Sequence, residues 1–166
     1  MASFEVVRHT RLSADAAWVQ LTDWPRHGEF IPFTEVRVTS KGAEGAGTVF
    51  VARTSIGPLG FDDPMEVTYW QPPSAQQEGI CRIVKLGRVV TGWAVLTVTP
   101  DESGSSPRQG NDGGSAKRKG GASIRWVEEA QFRAAGPLLN WPNSLAGKYV
   151  FGRLVNGLLA SEPAQD

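Results

Sequence analysis

One acidic residue stands in an otherwise apolar strand face, and it is the position in this sequence best suited to chemistry. In the segment Ala122–Arg133, residues Ile124, Trp126, Glu128, Ala130 and Phe132 recur at every second position. Alternate residues of a strand share a face. Arg125, Glu129 and Gln131 therefore share the opposite, polar face. The apolar face belongs inward, which sets the Glu128 carboxylate against an aromatic wall. Burial disfavours the charged form of a carboxylate, and a carboxyl group so perturbed can act as a general acid or base. Glu128 is the catalytic candidate; in an enzyme reading Glu128, Tyr149 and Arg153 would move protons or hold an enolate in a dry cavity. The structural alternative places Glu128 at the sheet rim, or paired with Arg153 or Arg82, where it orients the closing helix.

Other reactive constellations are missing. The two histidines, His9 and His27, lie in different segments and form no HxxxH or HExxH pair. No Cys-Cys or Cys-His spacing supports a metal site, so no metal and no cofactor is expected. There is no GxSxG elbow, no Walker loop and no GxGxxG, which removes support for hydrolase, P-loop and dinucleotide readings.

The elements that must position Glu128 can be read from periodicity. Residues 3–11 form a strand. Ser13 is a good N-cap for a helix over 14–23, with Ala14, Ala17, Trp18 and Leu21 as its buried stripe. Phe30, Ile31 and Phe33 surround Pro32 in an apolar bend that should fold back onto a sheet. Further strands follow at 34–41, 48–55, 61–71, 79–86, 89–99 and 122–133, bounded by Gly and Pro turns. No strand alternates with a helix, which argues against a parallel sheet. Residues 144–160, SLAGKYVFGRLVNGLLA, make a closing helix roughly 25 Å long at ~1.5 Å per residue. The segment 101–121 has no large apolar residue and reads as a flexible hairpin insert.

Side-chain alternation then gives a candidate ligand-binding set. Met65, Val67 and Tyr69 share the inward face of their strand. Gly92, Ala94, Leu96 and Val98 share that of another. On the closing helix, Leu145, Tyr149, Gly152, Asn156 and Leu159 form one stripe. The predicted cavity is lined by Met65, Val67, Tyr69, Leu96, Trp126, Glu128, Tyr149 and Asn156.

The chain of 166 residues fits one domain, 1–166, with one sizeable core. Seventeen acidic and seventeen basic residues cancel, so no whole-chain field attracts nucleic acid. The lone cysteine, Cys81, suits a reducing compartment. No segment reaches the ~20 apolar residues of a membrane span, and the N-terminus has no signal-peptide run. The expectation is a cytoplasmic protein without stable membrane insertion or a nucleic-acid partner.

Residues 12–32, LSADAAWVQLTDWPRHGEFIP, the strand ending in Gln71-Pro72-Pro73, GWAVLTVTP at 92–100 and SIRWVEE at 123–129 together resemble the START-like, or SRPBCC, superfamily. This is the polyketide cyclase/dehydrase and lipid-transport group. The resemblance spans nearly the whole chain and rests on the order of the pieces. It implies an α+β helix-grip fold: a seven-stranded antiparallel sheet wrapped around a long C-terminal helix, with two short helices between strands 1 and 2. It implies binding of a lipid, sterol, polyketide or quinone, and in some members cyclisation or dehydration. It supplies no shared catalytic motif. The leading reading is therefore binding of a hydrophobic or aromatic small molecule between sheet and helix. The alternatives are a polyketide cyclase/dehydratase-type enzyme using the same cavity, and a protein-interaction module with a collapsed pocket.

Overall fold

The computed structural model describes residues 2–42, 44–101, 121–133 and 143–160. Seven strands form one antiparallel sheet: β1 (Ala2–Thr10), β2 (Thr34–Val38), β3 (Val49–Ile56), β4 (Leu59–Gln71), β5 (Gly79–Lys85), β6 (Val90–Pro100) and β7 (Ala122–Phe132). Their spatial order is β1-β7-β6-β5-β4-β3-β2. Every neighbour except β1–β7 is also the next strand in sequence, so hairpins build most of the sheet. The first strand closes it by pairing with the last, from Ala2 opposite Ala130 to Thr10 opposite Ala122. Helices α1 (Ala14–Thr22) and α2 (His27–Phe30) lie between β1 and β2, and α3 (Asn143–Ala160) follows the sheet. This is the expected helix-grip architecture.

Local signals account for most of these elements. The Ser13 hydroxyl accepts a hydrogen bond from the Ala16 amide at 3.3 Å and starts α1. Ala14, Ala17, Trp18 and Leu21 are all buried, as the helical spacing requires. At the base of β6 and β7 the Asp101 amide donates to Gly121 O at 2.9 Å. The two strands are thus joined there; the expected insert falls almost wholly on residues 102–120, outside those described.

The core lies on the concave face of the sheet. Inward-facing Ala94, Leu96 and Val98 of β6 and Ile124 and Trp126 of β7 are buried, and α3 contributes Leu154, Val155 and Leu158. Helix α3 packs on β1, α1 and α2. Phe151 of α3 reaches the rings of Phe4, at 5.2 Å, and Trp126, at 5.4 Å. Gly157 permits close packing of the two helices, because a Cβ there would collide with the Phe30 ring. In β6, Gly92 has φ +144°, and a Cβ would strike the carbonyl oxygen of Glu129 on β7. Only glycine fits that position.

Two expectations about side-chain direction are corrected by the backbone. Strand β4 has a register shift between Val67 and Tyr69: Val67 pairs with Ile83, but Tyr69 pairs with Arg82. The extra residue reverses inside and outside along the rest of the strand. Tyr69 therefore faces out, 42% exposed, beneath the Arg82 guanidinium at 5.6 Å. Trp70 turns inward to meet Trp18 edge-on at 5.0 Å. The second correction concerns Phe33. It does not fold back onto the sheet; it is 68% exposed with φ +59°, an unusual conformation for a bulky residue.

Candidate functional site

Between the sheet and α3 lies a cavity of about 270 Å³. Its walls are largely apolar, with aromatic side chains from several elements. Trp24, just after α1, stacks on Phe50 of β3 with ring centroids 4.5 Å apart and planes 4° from parallel. Phe4, Trp126 and Phe151 close the opposite side. The hydroxyls of Thr34 and Thr54, 2.8 Å apart, satisfy one another at the wall formed by β2 and β3.

Three charged side chains lie in this apolar surface: Asp63 from β4, Lys85 from β5 and Glu128 from β7. Lys85 Nζ is 2.8 Å from Asp63 Oδ2 and 3.2 Å from Glu128 Oε1. The indole N–H of Trp126 donates to Glu128 Oε2 at 3.1 Å. The side chains of Lys85 and Glu128 are only 7% and 5% exposed. Strand β6 runs between β5 and β7, so the Lys85–Glu128 pair must pass over it. Gly92, paired with Lys85, and Ala94, paired with Glu128, leave that passage open. The small residues on β6 thus make room for an ion pair as well as for a cavity.

Burial and charge pull in opposite directions in this cluster. Burial alone would lower the pKa of Lys85, but the two adjacent carboxylates outweigh it and hold the pKa above its usual range. Lys85 is thus an ammonium, a hydrogen-bond donor and not a free amine nucleophile. Burial raises the pKa of Asp63; Lys85 opposes that rise, and the neighbouring Glu128 adds to it. Two carboxylates share one cation, so the cluster carries a surplus negative charge unless a proton neutralises one of them. Asp63 Oδ1 and the Trp24 indole N–H are buried and have no hydrogen-bond partner among the described residues. Buried polar atoms ordinarily find partners, so both are unsatisfied donors or acceptors enclosed in the cavity wall.

His27 also lines the cavity. Its Nε2 lies 2.9 Å from Leu21 O. That contact needs a proton on Nε2, which leaves Nδ1 unprotonated in the neutral ring. Burial lowers the His27 pKa to about 4, with the hydrogen bond to Leu21 O opposing the shift. Cys81 is buried, and burial raises its thiol pKa to about 12, so it is no nucleophile. On the outer surface, Ser123 Oγ donates to Asp101 Oδ1 at 2.9 Å and lies 3.0 Å from His9 Nδ1. The serine stands between acid and histidine and donates to the acid, which is the wrong order for a nucleophilic triad. No group of three metal-ligating side chains occurs among the described residues.

The structure brings some of the sequence-predicted residues together and separates others. Met65, Trp126 and Glu128 line the cavity. Val67 and Leu96 face inward and are fully buried core residues, outside the cavity lining. Tyr69 lies outside because of the β4 bulge. Tyr149 is 66% exposed, and Asn156 is exposed, its Oδ1 accepting from Arg8 Nε at 2.8 Å. Both border an outer groove between α2 and α3. The inward side of α3 carries Phe151, Leu154, Val155 and Leu158, about one residue's rotation from the predicted stripe; the Leu145 side chain lies outside the described residues. Glu128 pairs with Lys85, not with Arg153 or Arg82. Sequence reasoning missed Asp63, Lys85 and His27. The first two carried a usable signal: Asp63-x-Met65-x-Val67 and Cys81-x-Ile83-x-Lys85 put each on its strand's inward face.

No family model matches the chain, and no curated protein matches it in sequence. Solved structures do resemble it in fold. Protein TTHA0849 of Thermus thermophilus superposes with a TM-score of 0.62 at 12% identity, covering 95% of this chain and 94% of that one. Norcoclaurine synthase of Thalictrum flavum, a point mutant with a transition-state analogue, gives 0.54 at 13% identity over 95% and 93%. The protein Ara h 8.0201 gives 0.52 at 10% identity over 96% and 98%. The likeness extends over nearly the whole length of each, and the chain has a helix-grip fold.

Proposed function

We propose that the protein binds a hydrophobic or aromatic small molecule in the cavity between sheet and α3. The observation that carries this is the cavity itself: about 270 Å³ of mostly apolar space with aromatic side chains and a few buried polar groups in its walls. That combination is typical of small-molecule sites. An engineered apolar cavity of about 150 Å³ accepts benzene, so this one suits a molecule of about twice that size. A compact ring system fits better than a sterol or a diacyl lipid. The cavity supports this reading over an interaction module with a collapsed pocket. Native mass spectrometry of the protein purified from its own host tests the proposal. The expected result is a retained small-molecule mass that denaturation releases. A bare chain that also fails to bind any aromatic compound in equilibrium dialysis would refute it.

The charged cluster favours a second reading, an enzyme of the polyketide cyclase/dehydratase type. The Asp63 carboxyl group, biased by burial toward its protonated form, lies with Glu128 beside a buried ammonium, a set suited to moving a proton or stabilising an enolate. One of the fold neighbours, norcoclaurine synthase, is itself named as an enzyme. Glu128→Gln separates the readings. A binder keeps its ligand with modestly changed affinity. An enzyme that uses Glu128 as general acid or base loses turnover by about 10²–10⁴-fold with binding largely intact.

A further inference from the structure

We propose, on the reading that this cavity binds a ligand, that its occupant is a compact, uncharged hydroxyaromatic molecule of one or two rings, with its hydroxyl between Lys85 and Asp63. Three observations converge on that class. The first is unused hydrogen-bonding capacity at one place. The Lys85 ammonium has three N–H donors. Two are directed to Asp63 Oδ2 and Glu128 Oε1. The next acceptor is Met65 Sδ at 3.6 Å, a thioether and a weak one. Asp63, 8% exposed and on the cavity wall, has Oδ1 without a partner among the described residues. A hydroxyl both accepts and donates, so one such group can take the third N–H of Lys85 in place of Met65 Sδ and, with a small shift of the side chains that enclose Oδ1, donate a hydrogen bond to Asp63. An ether or ketone supplies only the first contact.

The second observation is the sign of the charge. Two carboxylates face one ammonium, so the cluster offers an anionic head group no net positive charge, and repels it wherever both carboxylates are ionised. In a buried setting that repulsion is large. Fatty acids and aromatic carboxylates are thereby disfavoured, and a neutral hydroxyl is not. The third is shape. The stacked Trp24–Phe50 pair and the rings of Trp126 and Phe151 present flat walls, which favour a planar body.

Equilibrium dialysis of the full chain against naphthalene, 2-naphthol, 2-methoxynaphthalene and 2-naphthoate tests the proposal. These probes share a ring system and differ at one substituent. The expected result is 2-naphthol at least tenfold tighter than 2-methoxynaphthalene, as a hydrogen bond to a charged group can supply, with 2-naphthoate weakest. In Asp63→Leu the Lys85–Glu128 pair remains balanced. There the preference for 2-naphthol over 2-methoxynaphthalene should vanish, both affinities being read in the same variant. If naphthalene binds but 2-naphthol is no tighter than the ether, or if 2-naphthoate binds best, the hydroxyl proposal is overturned and the cavity reading survives. An unchanged preference for 2-naphthol in Asp63→Leu overturns the role of Asp63. Absence of binding by all four probes removes the proposal and the cavity reading together. Should Asp63→Leu not fold, the wild-type probe series still decides.

Discussion

His27 should make the protein sensitive to mild acid, and the size of the effect follows from its surroundings. The ring is buried between Trp24 and Trp126, with centroids 5.3 and 6.1 Å away. Its neutral form donates to Leu21 O, and burial moves its pKa from the ordinary 6.5 to about 4. The unfolded chain binds a proton at this residue below pH 6.5, whereas the folded chain resists until about pH 4. Stability from this group is therefore complete above pH 6.5 and is lost as the pH falls through that window. The full loss is about 3 kcal/mol, and at pH 5 it has reached about 2 kcal/mol. Urea unfolding at pH 7.5 and pH 5, on wild type and His27→Gln, isolates it. Glutamine keeps an N–H for Leu21 O but does not titrate. Every other titratable group is common to the two chains and cancels in the difference. Wild type should lose about 2 kcal/mol more than His27→Gln between the two pH values. Parallel losses, within about 0.5 kcal/mol, would refute the argument. If the variant does not fold, a proton NMR titration of His27 in the wild type decides instead: a midpoint near 6.5 in the folded protein would refute it equally.

Other substitutions probe the charged cluster and the backbone around it. Lys85→Met leaves two buried carboxylates without their cation and should cost about 3–5 kcal/mol in urea unfolding, whereas replacing Lys85, Asp63 and Glu128 together by apolar residues should cost far less. Gly92→Ala should destabilise by more than about 3 kcal/mol, because it adds a steric clash with Glu129 O to the strain of a positive φ; a well-folded variant of near wild-type stability would contradict the β6–β7 geometry. Deleting residues 103–120 and joining the strands by a short turn should leave the urea midpoint nearly unchanged, since closure entropy varies slowly with loop length. A loss of core-truncation size would show that the segment packs on the domain.

How much of this was legible in the sequence depended on whether the deciding interaction was local. Alternation placed Trp126 and Glu128 on the inner face of β7, and Ala94 and Leu96 on that of β6. Both strands keep an unbroken register, so parity carries from one end to the other. In β4 the same rule held through Met65 and Val67 and failed at Tyr69, because a bulge depends on the partner strand. Nothing in Glu66-Val67-Thr68-Tyr69 marks where an extra residue enters the pairing. Helix α3 failed for another reason. Val150, Phe151, Leu154, Val155, Leu158 and Leu159 spread apolar surface around much of its circumference, so composition did not single out one face. Asn156, which suggested a polar group facing a ligand, instead holds Arg8 of β1.

The charged cluster shows how local and non-local information combine. Each of Asp63, Lys85 and Glu128 can be assigned to an inner face from its own strand. That Lys85 and Glu128 meet cannot, since it requires β6 to lie between β5 and β7 and to be small where they cross. Gly92 is small because the backbone there has φ +144° against Glu129, a requirement unrelated to any ligand. Ala94 has no such constraint: it is an ordinary buried strand residue, 3% exposed, opposite both Ile83 and Glu128. A larger apolar side chain at Ala94 would fill the passage between Lys85 and Glu128 while leaving the strand pairing intact. The sheet thus sets one of the two small residues, and the ion pair and the cavity account for the other. Ala94 is therefore the position at which the polar cluster can be disturbed without altering the frame that holds it.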